Sequence, residues 1–303
     1  MKAFVFPGQG SQYFGMTKDF YDNFIVSKRI LEEVEEYTKL NLKKIIFEED
    51  NELIDKTKYT QICIFASSLM IFRTLENENI IDNSTIEVML GHSLGEYTAL
   101  TCSNKIDLKD CCLILKKRGQ LMDNAVPEKS TAMAALIGLD SDKVSSIINE
   151  NNLDLEIAND NSPIQVVISG EIGKINKYRE IFLKNDVKKY VILNVSAAFH
   201  SKYMLEAQKE LSEQIVDLKF TYNDINIISN YTAEISNDNF IIKESLQNQM
   251  ANRVRWKESI MKLKQVTKNN KIIEIGPNKI LSGLIKRISN DFDIKNYSKI
   301  SDL

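Results

Sequence analysis

A serine stands between two glycines where an apolar run meets a helical one. The segment Gly91-His92-Ser93-Leu94-Gly95 follows the short run Glu87–Leu90 and leads directly into the helical pattern Leu94–Ser103. Such a turn is so tight that only glycine lets the neighbouring backbones approach each other. We therefore expect a strand-turn-helix unit whose serine hydroxyl projects at the N-terminus of a helix.

The rest of the chain predicts an α/β fold. Short β-rich runs alternate with longer helical ones, which is typical of a parallel sheet flanked by helices. From about Thr131 to Val195 the order becomes strand, helix, strand, strand, helix, strand, which is that of a ferredoxin-like subdomain. Since one core stops growing at roughly 250–300 residues, 303 residues suggest two lobes. We expect a large domain (residues 1–128 and 197–303) with a small ferredoxin-like domain inserted at residues 129–196.

The pattern also predicts the individual elements. The strands are Ala3–Phe6, Glu87–Leu90, Met133–Leu139, Leu155–Ala158, Gln165–Ser169, Lys189–Val195 and Lys271–Ile275. The helices are Phe20–Thr38, Gln61–Glu76, Leu94–Ser103, Leu108–Met122, Asp142–Glu150, Ile172–Asn185 and a closing helix from Lys279. A turn is expected over Asn159–Pro163, where turn-forming residues cluster.

Charge and cysteine content exclude several classes of protein. With 39 Lys and Arg against 42 Asp and Glu, the net charge of −3 gives no global field to attract nucleic acid or an anionic membrane. No stretch approaches the ~20 apolar residues that span a bilayer, and the N-terminal run is too short for a signal peptide. The four cysteines lack metal-binding spacing and suit a reducing compartment. We therefore expect a cytoplasmic protein without a metal site.

Ser93 and His200 are the candidate nucleophile and base. A serine hydroxyl reacts well only when a base removes its proton, and the chain contains only two histidines. His92 adjoins Ser93, so at a sharp turn its side chain should face away from the hydroxyl, in a structural role. That leaves His200, where the last strand of the small lobe returns to the large lobe. No acid between residues 93 and 200 stands out as a third member, so a carbonyl or an amide is expected to orient His200.

Two further segments can contribute to a site around Ser93. The amide of Leu94 can point at an oxyanion, and the glycine-flanked Gln9 after the first strand can supply a second donor, unless this segment is only a turn. Arg118 lies late in a predicted helix, where basic residues are commonly solvated. The alternative is a buried guanidinium that binds a free carboxylate bidentately.

These motifs together resemble the malonyl-CoA:acyl carrier protein transacylase family. The resemblance covers nearly the whole chain and is closest to the free-standing, malonyl-specific acyltransferases that serve polyketide synthases in trans. Its landmarks occur in order: Phe6–Gln12, Gly91–Tyr97, Arg118-Gly119, Met133–Ala135, Asn161–Pro163, Gln165–Ile168, Phe199-His200, Val254–Trp256 and Glu274–Pro277.

The resemblance implies a fold and a set of roles. It implies a large α/β-hydrolase-like lobe and a ferredoxin-like small lobe. Ser93 would be acylated by malonyl-CoA, with His200 as base. The amides of Gln9 and Leu94 would form the oxyanion hole, and Arg118 would hold the malonyl carboxylate. The supporting residues would be Gln249, through its backbone carbonyl to His200, together with Phe199, His92 and Asn161.

Three positions bear on the pathway. Phe199 would narrow the space around the malonyl C2 atom and disfavour a methyl branch, a preference worth about 1–3 kcal/mol. Ala251 stands where many fatty-acid-type members have an aromatic residue, and Arg253 where many have proline. These features favour loading of polyketide carrier domains over fatty-acid synthesis.

The expected partners are malonyl-CoA and an acyl carrier protein, with no metal or redox cofactor, no nucleic acid and no membrane. Nothing in the sequence demands more than a monomer. Three alternatives stay open at this point. They are malonyl loading for fatty-acid synthesis, an editing hydrolase that removes stalled acyl chains from carriers, and a non-catalytic docking subunit.

Overall fold

Two sheets with surrounding helices make up residues 2–48, 52–266 and 270–303, which the computed structural model describes. The strands are β1 (Lys2–Phe6), β2 (Ile86–Gly91), β3 (Thr131–Ile137), β4 (Glu156–Ser162), β5 (Gln165–Glu171), β6 (Lys189–Ile192), β7 (Asn226–Ile228), β8 (Ile235–Ser236), β9 (Lys271–Ile275) and β10 (Asp293–Tyr297). The helices are α1 (Lys18–Asn23), α2 (Ile25–Thr38), α3 (Leu42–Phe47), α4 (Thr57–Asn77), α5 (Leu94–Cys102), α6 (Leu108–Asn124), α7 (Ser141–Glu150), α8 (Ile172–Lys177), α9 (Arg179–Lys184), α10 (Leu205–Asp217), α11 (Asn239–Gln247), α12 (Trp256–Val266) and α13 (Ile280–Ile288). None of these helices is long and apolar enough to cross a membrane.

The larger sheet has the strand order β10-β9-β1-β2-β7-β8. All neighbouring strands are parallel except β7 and β8, which are antiparallel. Strand β1 is buried on both faces, because Phe4 and Phe6 pack into one apolar cluster while Ala3 and Val5 pack into another. Such double burial explains why β1 is a continuous apolar run rather than an alternating one.

The smaller sheet is antiparallel and comes from the middle of the chain. Its order is β4-β5-β3-β6, and α7, α8 and α9 cover one face through a cluster that includes Val144, Ile175 and Phe182. The predicted fold class, a large α/β part with a parallel sheet and an inserted small antiparallel part, is confirmed. The exact limits of the inserted domain remain a prediction.

Two predicted helices are each divided in two. The helix expected over Phe20–Thr38 breaks at Phe24, whose extended backbone separates α1 from α2. The helix expected over Ile172–Asn185 breaks at Tyr178, between α8 and α9. In both cases apolar side chains remain on the buried side across the break, so their spacing gives no sign of it.

Other predictions need correction as well. Most of Asn159–Pro163 is not a turn but the end of β4, and the chain reverses only after Ser162. Strands β7, β8 and β10 were not predicted, and β10 follows the helix that was expected to close the chain. β7 and β8 contain only three and two residues, too few to show a period of two.

The two sheets are joined where β4 meets the segment before α12. Asp160 N–H donates to the Val254 carbonyl at 2.9 Å, and Val254 N–H donates to the Ala158 carbonyl at 2.8 Å. The ammonium of Lys257 lies 3.3 Å from the buried Asp160 carboxylate. This junction fixes the small sheet beside the carboxyl ends of the parallel strands, where α/β proteins commonly bind ligands.

The close contact between α5 and β1 predicts the effect of replacing Gly95. A Cβ atom there would overlap the carbonyl of Phe6, so Gly95→Ala should lower the free energy of unfolding by about 1–3 kcal/mol. Gly283→Ala in α13 is the matched control. A Cβ there meets no atom within 4 Å, and alanine should stabilise the helix by about 0.5–1 kcal/mol. Urea unfolding measures both, and equal stabilities for the two variants would contradict this account of the turn.

Candidate active site

The turn between β2 and α5 holds Ser93 in a strained conformation. Its backbone has φ 53° and ψ −105°, which is unfavourable for any residue with a side chain. A Cβ at Gly91 would overlap the backbone of Gly95, which explains the glycine before the serine. Asn230 restrains the strained residue, since its Oδ1 accepts the Ser93 N–H at 2.6 Å. The turn thereby presents Ser93 at the start of α5.

His200 lies within hydrogen-bonding distance of Ser93. The Ser93 Oγ and His200 Nε2 atoms are 2.9 Å apart. Across the ring, His200 Nδ1 lies 3.2 Å from the carbonyl oxygen of Gln249 and 3.0 Å from that of Asn252. Because a carbonyl oxygen only accepts, we assign the ring proton to Nδ1, which leaves Nε2 free to accept the serine proton. In the described residues, backbone carbonyls therefore take the place of the usual triad acid.

Burial sets the protonation state of His200. Loss of solvation, followed by the positive charge of Arg118, lowers the pKa of its imidazole from 6.5 to about 3. The two carbonyl partners of Nδ1 oppose this shift only partly. At neutral pH the ring is therefore uncharged, which is the form that can act as a base.

Arg118 is buried beside the serine rather than solvated. One of its terminal nitrogens donates to Ser93 Oγ at 3.0 Å and to Gln249 Oε1 at 2.9 Å. The other donates to Gln61 Oε1 at 2.5 Å. The guanidinium carbon lies 5.3 Å from the centroid of the Tyr97 ring, and no carboxylate of the described residues forms an ion pair with the guanidinium. A buried cation in the wall of a cavity, without a carboxylate partner, is suited to bind an anionic group of a ligand.

Ser93 and His200 line a cavity of about 380 Å³ between the two sheets. Gln9 and Leu94 line it too. As the first residue of α5, Leu94 has an amide without an intrahelical acceptor, and the helix dipole favours negative charge there. Gln9 Nε2 donates a hydrogen bond to Thr57 Oγ1 at 3.2 Å, and this bond holds the Gln9 backbone at the cavity wall.

The other predicted residues form the walls. His92 faces away from the serine hydroxyl: its Nε2 lies 2.8 Å from Asn161 Oδ1, and its ring packs 5.6 Å from that of Trp256. The pair connects the turn to β4 of the small sheet. Phe199 is 5% exposed and lines the cavity next to His200. The structure thus brings every predicted site residue to the cavity or to its immediate support.

Sequence reasoning missed three polar residues around Ser93. Glu96 and Gln61 are fully buried, and Asn230 donates through Nδ2 to the Gly91 carbonyl at 2.7 Å. The sequence carried a signal for Glu96, because it is an acidic residue within the otherwise apolar start of α5. Asn230 follows β7, and it would have been found if that short strand had been predicted, because carboxyl ends of parallel strands meet at one edge.

A second cavity, of about 360 Å³, reaches His200 from the opposite side. Ala251, Asn252 and Arg253 line it, and Arg253 is 3.5 Å from the carboxylate of Glu258. Ala251 and Arg253, two of the positions singled out in the sequence, thus form part of the wall of this opening.

No group of three or more His, Cys, Asp or Glu side chains is placed to hold a metal ion in the described ranges. All four cysteines are buried with free thiols, and burial raises the pKa of Cys111 to about 12. These thiols are therefore protonated and unreactive at neutral pH.

Comparison with known proteins shows the family of the chain. Residues 3–300 match the model of the acyl transferase domain family. The malonyl CoA-acyl carrier protein transacylase of Bacillus subtilis is 36% identical over 95% of the chain and 90% of its own length. The polyketide biosynthesis transacylase PksC of the same organism is 34% identical over 96% and 98%.

Solved structures show the same fold. The acyl-carrier-protein-S-malonyltransferase of Bartonella henselae superposes with a TM-score of 0.94, at 33% identity, over 99% of this chain and 96% of its own. A type II polyketide malonyl-transacylase, solved in complex with its acyl carrier protein, superposes with a TM-score of 0.92, at 32% identity, over 99% and 97%. The chain therefore belongs to the acyl transferase family, within its malonyl-CoA:acyl carrier protein transacylase branch.

Proposed function

We propose that the chain transfers a malonyl group from malonyl-CoA to the phosphopantetheine thiol of an acyl carrier protein, through an ester on Ser93. The observation that carries the proposal is the buried guanidinium of Arg118, which lines the cavity 3.0 Å from Ser93 Oγ and has no carboxylate partner among the described residues. A cation at this place favours an acyl group that carries its own negative charge. The malonyl group meets this requirement, because its carboxylate is separated from the thioester carbonyl by a single methylene.

The first half of the reaction acylates the serine. His200 Nε2 accepts the Ser93 proton while Oγ attacks the thioester carbonyl, giving a tetrahedral intermediate. The amides of Leu94 and Gln9 stabilise its oxyanion. When the C–S bond breaks, the imidazolium returns the proton to the departing coenzyme A sulfur.

The second half reverses these roles. His200 accepts the proton of the carrier thiol, whose sulfur attacks the malonyl ester. The Ser93 Oγ then leaves and takes the proton back from the imidazolium. The cycle is thus balanced in protons and needs neither a metal nor a redox cofactor.

The space beside His200 limits which acyl groups fit. Phe199 beside His200 leaves little room for a methyl branch at the malonyl C2 atom, which gives a preference for malonyl over methylmalonyl groups.

We propose that the protein works in the cytoplasm as a monomer and loads polyketide carrier domains in trans.

Substitution of the two central residues tests the proposal. Wild-type protein incubated with malonyl-CoA should gain the mass of one malonyl group, and Ser93→Ala should gain none. Arg118→Ala should lose malonyl loading by at least about 100-fold, because a charged hydrogen bond in a buried site is removed, while acetyl loading persists. Intact-protein mass spectrometry measures all three.

Lys116→Ala is the matched control for Arg118. Lys116 lies on the same helix, but its ammonium donates to the Thr38 carbonyl at 2.7 Å, away from the cavity. This variant should load malonyl like the wild type. Rapid acetyl turnover by the wild type without any malonyl adduct would instead indicate an editing hydrolase.

The pKa of His200 predicts how reactivity depends on pH. Labelling of Ser93 by an uncharged sulfonyl fluoride requires the neutral imidazole. Because burial and Arg118 hold the pKa well below 6.5, the labelling rate should stay level from about pH 8 to about pH 5. In Arg118→Ala the positive charge that lowers the His200 pKa is gone, so the midpoint of the pH profile should move to a higher pH. A wild-type midpoint at or above about 6.5 would refute a neutral, depressed imidazole.

The pathway is tested with purified carriers. We expect a higher kcat/KM for a carrier domain from a trans-acyltransferase polyketide synthase than for the fatty-acid carrier protein of the same cell. Radiolabelled malonyl-CoA with each carrier at equal concentration measures the ratio. A preference for the fatty-acid carrier would assign the chain to fatty-acid synthesis, with the chemistry unchanged.

A further inference from the structure

The carboxylate of Glu96 is buried beneath Ser93, and the reaction described above gives it no step. It lies in the first turn of α5 and is fully buried. One oxygen, Oε2, accepts two hydrogen bonds, from Gln249 Nε2 at 2.8 Å and from Asn230 N–H at 3.1 Å. Both donors belong to residues that contact Ser93, so Glu96 is the point at which two supports of the serine meet.

The first support passes through Gln249. Its Nε2 donates to Glu96 and also to the Ser93 carbonyl at 2.9 Å, while its Oε1 accepts from Arg118 at 2.9 Å. A side-chain amide has one donating and one accepting end. The acceptors of Glu96 and of the Ser93 carbonyl lie on the donating side of the amide, so the oxygen of Gln249 faces Arg118. Without the Glu96 acceptor, the Ser93 carbonyl alone would hold Nε2, and the amide oxygen would be aimed less firmly at the guanidinium.

The second support passes through Asn230. The backbone N–H of Asn230 donates to Glu96, while its side chain accepts from Ser93 N–H and donates to the Gly91 carbonyl. These bonds restrain both sides of the strained turn. Glu96 thus binds both Asn230, which holds the Ser93 backbone, and Gln249, which accepts from Arg118.

Packing alone does not explain an acid at this place. Burial raises the pKa of Glu96 to about 7, although the bonds from Gln249 and Asn230 and the charge of Arg118 lower it. The other oxygen, Oε1, has no hydrogen-bond partner. A buried, half-satisfied carboxylate is costly compared with an apolar side chain of similar size, so its contacts must serve another purpose.

We propose that Glu96 is a positioning residue for malonyl selectivity: as a hydrogen-bond acceptor it orients the Gln249 amide, which aims Arg118 at the acyl carboxylate beside Ser93. This inference rests on the proposed malonyl transfer. Its specific content is that the position of the acceptor atom matters more than the charge of Glu96.

Two conservative variants separate acceptor position from charge. Glu96→Gln can place its amide oxygen where Oε2 lies, so both hydrogen bonds remain although the ionisable group is lost. Glu96→Asp keeps an ionisable carboxyl group but withdraws the acceptor by one methylene. We expect Glu96→Gln to keep the wild-type ratio of malonyl to acetyl loading rates, and Glu96→Asp to lower that ratio by about tenfold or more. Rapid-quench mass spectrometry of the acyl-Ser93 adduct measures both rates.

Thr101→Val is the matched control. Thr101 is buried on the same helix, and its hydroxyl donates to the Tyr97 carbonyl at 3.1 Å without touching Gln249 or Asn230. It should lower the melting temperature while leaving the ratio unchanged, which separates selectivity from general destabilisation.

The remaining outcomes are decisive too. An unchanged ratio in both Glu96 variants, or loss of the ratio in Glu96→Gln with retention in Glu96→Asp, would overturn the inference. A wild-type protein that forms no malonyl adduct would instead count against the proposed function itself, and the two failures are therefore distinguishable.

Discussion

The backbone of α5 lies against the end of β1 so closely that one methyl group at Gly95 would overlap the Phe6 carbonyl. This contact keeps the turn after β2 tight, and the tight turn forces Ser93 to a positive φ. The helix N-terminus, with its free amide at Leu94, is thereby set beside the hydroxyl. Nucleophile and oxyanion donor thus come from one steric constraint, which needs only two glycines and an apolar strand.

Burial then determines what each ionisable group near Ser93 can do. His200, Arg118 and Glu96 lie together in a region with little solvent. Burial shifts the pKa of each group in the direction that disfavours its charged form. For His200 the consequence is a neutral ring that is a weak base. A carboxylate bound to Arg118 would offset the positive charge that helps to lower the imidazole pKa. A malonyl substrate would therefore strengthen the base that deprotonates Ser93, whereas an acetyl substrate would not.

The sequence predicted most of this arrangement because its strongest signals are local. The turn at Gly91–Gly95 and the apolar strands depend on neighbouring residues, and scarcity of histidine singled out His200. Apart from Glu96, which lies in the same helix start as Ser93, what was missed depends on contacts between residues distant in the chain. Asn159 is a turn-forming residue, yet it continues β4 because it pairs with Val167 of β5 and forms a β-bridge to Val254. Asn230 depends on β7, which is too short to be recognised before its partner β2 is known.

The position of the base depends on contacts with both lobes. The backbone before His200 is held from the small sheet, because Ser169 donates to the Phe199 carbonyl at 2.7 Å and Thr131 accepts from Ala198 N–H at 2.9 Å. The ring itself is held by carbonyls of the large lobe. His200 has a positive φ of 55°, a strain that persists only if both sets of contacts are maintained. Separation of the lobes would therefore remove contacts that position the base, so the packing between β4 and the segment around Val254 supports the catalytic arrangement as well as the fold.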